Sequence, residues 1–123
     1  MVQAVTPSRA TGLAALVVLA AVATTASAMT GEEWRGLPPP ARLAYVTAIV
    51  DAWNSFAIVK ESLGSADPGI TVFTDLAMCL RDRGLGTPQV LGLVERYTEQ
   101  QPGLRGKEMP DIVFAAVSEA CRR

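Results

Sequence analysis

Four stretches of this chain carry apolar residues at steps of three and four, and proline and glycine separate each stretch from the next. The longest, 40–63, aligns Leu43, Val46, Val50, Trp53 and Ala57 in one stripe, which Ile49, Phe56 and Leu63 widen. That spacing is the period of an amphipathic α-helix. No stretch alternates with the two-residue period of a strand. The sequence therefore predicts an all-α fold.

Proline and glycine also predict where the helices begin and end. Pro40 suits the first position of the long helix, and the loop Gly64–Gly69 ends it. Three more helices are predicted at about 72–83, 88–100 and 110–121, with Thr87 as the cap of the second of them. Together they predict a small four-helix bundle. The inward-facing residues predicted for these three helices are Val72, Leu76, Cys79, Leu80, Val90, Leu91, Val94, Tyr97, Ile112, Val113, Ala116, Val117 and Ala120.

A short helix is predicted ahead of the bundle. Thr30 and Glu33 stand at the spacing of a capping box, in which each side chain bonds the other residue's backbone N–H. The helix would carry Trp34 and Leu37, and the prolines at 38–40 would end it. Trp34 and Trp53 are expected in the core, with a groove lining as the alternative.

Residues 1–28 have the pattern of a cleavable signal peptide. Arg9 precedes an unbroken apolar run, Leu13–Ala23, and Ala26-Ser27-Ala28 is a cleavage site of small residues. The run has about 11 residues, against the roughly 20 that a membrane-spanning helix needs. We therefore expect cleavage after Ala28 and a single helical domain, 29–123, in the periplasm or the medium. A retained membrane anchor is the alternative.

Charge and composition exclude several classes of function. Without the leader, ten Lys and Arg stand against twelve Asp and Glu, too small an imbalance to favour nucleic acid or an acidic membrane. The chain has no histidine, the commonest general base. Two sulfurs without histidine are too few ligands for a zinc site. We expect neither an enzyme nor a bound cofactor or metal.

The chain has two cysteines, Cys79 and Cys121, both in the predicted domain. An even count in an exported protein favours a disulfide, here one joining the second and last helices of the bundle. Two free thiols or a bridge between two chains are the alternatives. A redox-active pair is not expected, since there is no C-x-x-C motif.

A series of short motifs resembles the Tai-type family of secreted immunity proteins. The motifs are Trp34-x-x-Leu37, Arg42–Val46, Ala48-x-x-Asp51-Ala52, Cys79-Leu80, Gly84–Thr87 followed by Gln89, Val94–Tyr97, Pro102, Arg105 and Ala115-Ala116-x-x-Glu119-Ala120-Cys121. The resemblance implies a small helical periplasmic protein that neutralises a peptidoglycan amidase delivered by type VI secretion. A second likeness, at the level of fold, is to the Hde-type acid-stress chaperones, which are also small, periplasmic, helical and single-disulfide.

We therefore predict a protein-binding role. The candidate surfaces are two polar, glycine-bearing loops between helices, where binding residues are often found. Their candidate contact residues are Ser65, Asp67, Arg81, Asp82, Arg83 and Thr87. Ordinary solvated loop charges are the alternative interpretation. A homodimer is possible, and Asp51 is expected to lie partly buried beside the apolar stripe.

Overall fold

The computed structural model describes residues 27–64 and 67–123, and these form five α-helices. The predicted leader lies outside the described residues except for Ser27 and Ala28. The helices are α1 (Gly31–Arg35), α2 (Pro39–Leu63), α3 (Pro68–Asp82), α4 (Thr87–Gln100) and α5 (Met109–Arg122), with one 3₁₀ turn at Pro102–Leu104. Within the described ranges the one strand-like pairing is an isolated bridge between Thr30 and Glu108. The predicted all-α class is confirmed.

The long helix α2 supports the rest of the bundle. Its first half runs beside α4, where Arg42 Nη1 lies 3.1 Å from Glu95 Oε1. Its second half packs against α3, where Trp53 and Phe56 contact Phe73. Helix α5 closes the core against α3 and α4. The buried apolar side chains come from all five helices: Trp34, Val46, Val50, Trp53, Leu76, Ala77, Leu80, Val90, Val94, Met109, Ile112, Val113, Ala116 and Val117.

Two side chains expected in the apolar stripes are instead exposed. Leu63 is 75 % exposed and Val72 is 43 % exposed. Helix α2 has 25 residues and α4 has 14, so at 1.5 Å per residue α2 is about 16 Å longer. The far end of α2 and the start of α3 therefore extend past the core. Asp51, expected to be partly buried, is also exposed.

Two helix starts differ from the prediction. Helix α3 begins at Pro68 rather than 72, because Asp67 caps it: Asp67 Oδ1 accepts from the N–H of Gly69 at 2.8 Å and of Ile70 at 3.2 Å. The Asp-Pro pair predicted as loop is thus an N-cap followed by a first helical residue. Helix α4 has Gly86 as its N-cap, and Thr87, predicted as the cap, is its first residue.

The short helix α1 is docked onto the bundle through backbone hydrogen bonds. The capping box is present, with Thr30 N donating to Glu33 Oε2 at 2.7 Å and Glu33 N donating to Thr30 Oγ1 at 3.3 Å. The N–H of Gly31 donates to the carbonyl of Lys107, and that of Met109 to the carbonyl of Met29. The segment between α4 and α5, residues 104–109, is therefore the part of the bundle that binds α1.

A disulfide joins Cys79 of α3 to Cys121 of α5, with the two Cα atoms 6.2 Å apart. This confirms the intramolecular pairing over free thiols and over a bridge between chains. Because Phe73 also contacts Phe114, helices α3 and α5 run in the same direction, and the bridge fixes their C-terminal ends together. Among the described residues, no helix has the length and apolar character needed to cross a membrane.

Candidate functional site

The turn between α3 and α4, residues 83–86, has a defined backbone conformation. Gly84 adopts φ +64°, the left-handed region that favours glycine. The N–H of Leu85 donates to the carbonyl of Leu80 at 2.8 Å, and that of Gly84 to the carbonyl of Arg81 at 3.0 Å. This pair of bonds is a Schellman motif, which satisfies the last carbonyls of α3.

Arg83 fastens this turn to the end of α5. Its Nη1 donates to the carbonyl of Ala120 at 2.7 Å and its Nη2 to the carbonyl of Cys121 at 3.3 Å. A cation at a helix C-terminus is also favoured by the helix dipole. The turn is thus held by its own backbone, by Arg83 and by the disulfide one turn earlier in α3.

A cleft lies on each side of this turn. The first, which we call the arginine cleft, has a volume of about 270 Å³ and lies between α4 and α5; its charged lining is Arg83, Arg96, Arg123 and Glu119. The second, the α2 cleft, has about 260 Å³ and lies between α2 and the turn; its polar lining includes Asp51, Asn54, Arg81 and Thr87. Leu85 lines both clefts. The turn is therefore a ridge between two depressions, and we call it the ridge.

The predicted contact residues are divided between the two ends of α3. Arg81 and Thr87 line the α2 cleft, Arg83 lines the arginine cleft, and Asp82 is exposed but lines neither. Asp67 caps the opposite end of α3. Since α3 has 15 residues, the two predicted loops are about 22 Å apart along its axis and do not form one surface. Ser65 lies outside the described residues.

Sequence reasoning did not select Arg96, Glu119 or Arg123 as contact residues, although Arg96 and Glu119 stand in the motifs that resemble the Tai-type family; all three complete the arginine cleft. They belong to α4 and to the end of α5, and only the packing of these two helices brings them beside Arg83. In the sequence, each looks like an ordinary solvent-exposed charge on a helix. The pairing of α4 with α5 was not deducible from helical periodicity.

A third cleft, of about 230 Å³, lies between α1 and α4. Arg42 stacks there over Trp34, with its guanidinium carbon 5.7 Å from the ring centre, and pairs with Glu95. Trp34 is fully buried, and its Nε1 donates to the carbonyl of Arg42 at 3.3 Å. Arg35 and Glu99 also line this cleft, so its charges balance, and its Trp–Arg contact holds α1 in place.

The exposed large apolar side chains lie in another part of the molecule. Ile58 is 67 % exposed and Met78 is 50 % exposed, and Val59, Leu63 and Val72 also exceed a third. All five lie on the α2–α3 hairpin, and we call them the hairpin apolar residues.

The two shifted pKa values lie away from the ridge. Hydrogen bonds from the Thr30 backbone and side chain lower the pKa of Glu33. Burial, with a smaller contribution from the Glu108 carboxylate, raises the pKa of Tyr45. Neither group lines either ridge cleft.

No cluster of three or more histidine, cysteine or carboxylate side chains suited to a metal ion occurs within 27–64 and 67–123. Comparison of the chain with protein-family models, with curated proteins and with solved structures finds no match.

Proposed function

We propose that this is an exported protein that acts by binding another protein, and that its partner is a peptidoglycan amidase which it blocks as an immunity protein. The observation that supports a binding role most directly is the ridge: an exposed, fastened turn with a cleft on each side. The resemblance of the sequence motifs to the Tai-type family supports the choice of an amidase.

The physical basis of such inhibition is steric. A protruding turn can enter the active-site cleft of an enzyme, and the clefts beside it can accept side chains from the rim. Binding is tighter when the inserted turn loses little freedom on binding. Here the Schellman bonds, the Arg83 contacts and the disulfide already restrict the turn.

Three further features support a non-catalytic, extracytoplasmic protein. With no histidine in the chain, a Ser-His or Cys-His nucleophile pair has no base. The leader pattern directs export, and an intramolecular disulfide is compatible with an oxidising compartment.

The test is inhibition of an amidase encoded beside the gene for this chain. The full chain, expressed with its leader and purified after export, is mixed with that amidase, and hydrolysis of purified sacculi is followed by loss of turbidity. We expect hydrolysis to stop near equimolar inhibitor. Arg81→Glu, on the exposed flank of the ridge, is expected to raise the required concentration at least about tenfold, the effect of 1.4 kcal/mol.

The matched control is Lys107→Glu, the same charge reversal at an exposed residue beyond the other end of α4. It is expected to inhibit like the wild type. Undiminished hydrolysis with a large excess of the wild-type chain would exclude the immunity proposal. Equal losses from both substitutions would show that general charge, not the ridge, governs binding.

An acid-stress chaperone is a second candidate, favoured by the hairpin apolar residues. Without histidine, activation would depend on carboxylates, which titrate near pH 4. The chaperone proposal therefore expects protection of an acid-denatured client enzyme at about pH 2–3, measured by light scattering. Leu63→Ser should weaken that protection. If the chain does not reduce aggregation of the client enzyme, the chaperone candidate is excluded.

A further inference from the structure

We propose that the arginine cleft binds a carboxylate carried on an apolar chain, because three arginines line it together with apolar side chains. The ligand would be an acidic segment of a protein partner. The inference rests on the proposed protein-binding function and specifies what one side of the ridge recognises.

The charge of the cleft is opposite to that of the whole chain. Arg83, Arg96 and Arg123 line it, against the single carboxylate side chain of Glu119. The chain as a whole has a formal net charge of −1. A local excess of two positive charges on an acidic protein favours an anionic partner group at this position.

The three guanidinium groups differ in how they are held. Arg83 is fixed by two carbonyls of α5, and Arg96 Nε donates to the carbonyl of Gly92 at 3.3 Å. Among the described residues, neither Nη group of Arg96 has a partner. Two adjacent N–H groups in one guanidinium plane match a carboxylate in bidentate geometry. Arg123 pairs with Glu119 and partly neutralises it.

The cleft also has apolar lining. Leu85, Leu93, Tyr97, Ala116 and Ala120 line it together with the charged side chains and Gln100. Its volume of about 270 Å³ lies just below the range of about 300–1,000 Å³ typical of small-molecule and cofactor sites. A site of this size suits one or two side chains, such as an acidic residue next to an aromatic or aliphatic one.

The experiment titrates three short peptides into the full, ¹⁵N-labelled exported chain and follows backbone amide shifts by NMR. Acetyl-Ala-Glu-Phe-amide offers a side-chain carboxylate, acetyl-Ala-Leu-Phe with a free C-terminus offers a terminal one, and acetyl-Ala-Gln-Phe-amide has neither. We expect saturable shifts at residues 83–85, 93–97 and 116–120 with at least one acidic peptide. The neutral peptide should bind up to about fivefold more weakly, the upper end for an exposed ion pair. Whichever acidic peptide binds tighter identifies the source of the carboxylate.

Two substitutions should move the affinity in opposite directions. Arg96→Gln removes the unpartnered guanidinium and is expected to weaken binding of the acidic peptide about fivefold, as for an exposed ion pair. Glu119→Gln removes the competing carboxylate and should strengthen it. The matched control is Arg122→Gln, which deletes the same charge on α5 from a residue outside the cleft and should leave affinity within about twofold.

Equal binding of neutral and acidic peptides, or equal effects of Arg96→Gln and Arg122→Gln, would overturn the proposal, as would an absence of saturable shifts. These results are separable from the amidase test. Amidase inhibition by a chain that binds none of the peptides would refute carboxylate binding in the cleft and leave the immunity proposal standing. Peptide binding without amidase inhibition would support the cleft and refute the immunity proposal.

Discussion

At the scale of single residues, Gly31 shows how close packing fixes an amino acid. A Cβ at this position would lie 2.7 Å from Ile112 Cδ1 and 3.1 Å from the carbonyl oxygen of Arg105. Only glycine lets α1 approach α5 and the preceding turn this closely. We predict that Gly31→Ala destabilises the domain by about 1–3 kcal/mol through overpacking, measured by urea unfolding.

Gly92 provides the matched control. It lies inside α4, and a Cβ there would meet nothing within 4 Å. Alanine in a helix interior is favoured over glycine by about 1 kcal/mol, so Gly92→Ala is expected to stabilise the domain. If Gly31→Ala and Gly92→Ala changed the free energy of unfolding in the same direction, the space around each Cβ would not explain their effects.

Glu33 makes the docking of α1 dependent on pH. Its folded-state pKa is lowered by the Thr30 hydrogen bonds, so its contribution to stability is complete above the ordinary glutamate pKa of about 4.3 and is lost as the pH falls through the lower, folded-state pKa. We predict that Glu33→Gln lowers the Tm at neutral pH, and that the difference from the wild type shrinks in the acid range. A difference that stays constant down to the lowest pH at which the domain folds would contradict this origin.

Residue-level predictions from sequence succeeded where the cause is local. The Thr30–Glu33 capping box is such a case, since both partners are three residues apart. Asp67 carries an equally local signal, an Asp before a Pro, but the same pair is also typical of loops. The exposure of Asp51 and the contacts of Arg83 with α5 depend on which helix lies alongside, and no local pattern contains that information.

At the scale of helices, Phe73 joins three elements. Its ring lies 5.8 Å from Trp53 and 5.5 Å from Phe56 of α2, and 5.7 Å from Phe114 of α5. Because the ring is only partly buried, we predict that Phe73→Ala costs about 2–3 kcal/mol, below the usual range for a fully buried Phe. Leu63→Ala, at a side chain 75 % exposed, should change stability by no more than about 0.5 kcal/mol.

Thermal unfolding of the two variants followed by circular dichroism tests this contrast. Comparable losses would mean that the end of the hairpin is packed rather than exposed. The sequence could not make the distinction, because Leu63 and Phe56 both continue the stripe of α2. Helical periodicity identifies a face of a helix, but it does not tell how far along that face the neighbouring helices reach.

At the scale of the whole molecule, the disulfide and α1 close the fold from opposite ends of α5. Cys121 ties the C-terminal end of α5 to α3, and backbone bonds from residues 29–32 hold its N-terminal end. The cysteine pairing followed from the sequence, since two cysteines allow one intramolecular bridge. The docking of α1 did not, because its backbone hydrogen bonds have no sequence signature and because Gly31 and Trp34 meet partners that only the fold brings together.

The disulfide is predicted to supply a large share of the stability of this small domain. Its cysteines are 42 residues apart, and closing a loop of that length in the unfolded chain stabilises the folded state by about 4 kcal/mol on the loop-entropy estimate. Domains have only about 5–15 kcal/mol in total. We expect the double variant Cys79→Ser, Cys121→Ser to lose about 4 kcal/mol in urea unfolding, and dithiothreitol to reproduce the loss in the wild type while leaving the variant unchanged. A loss below about 1 kcal/mol would mean that Arg83, which bonds the same end of α5, and the core hold the helix ends together without the covalent link.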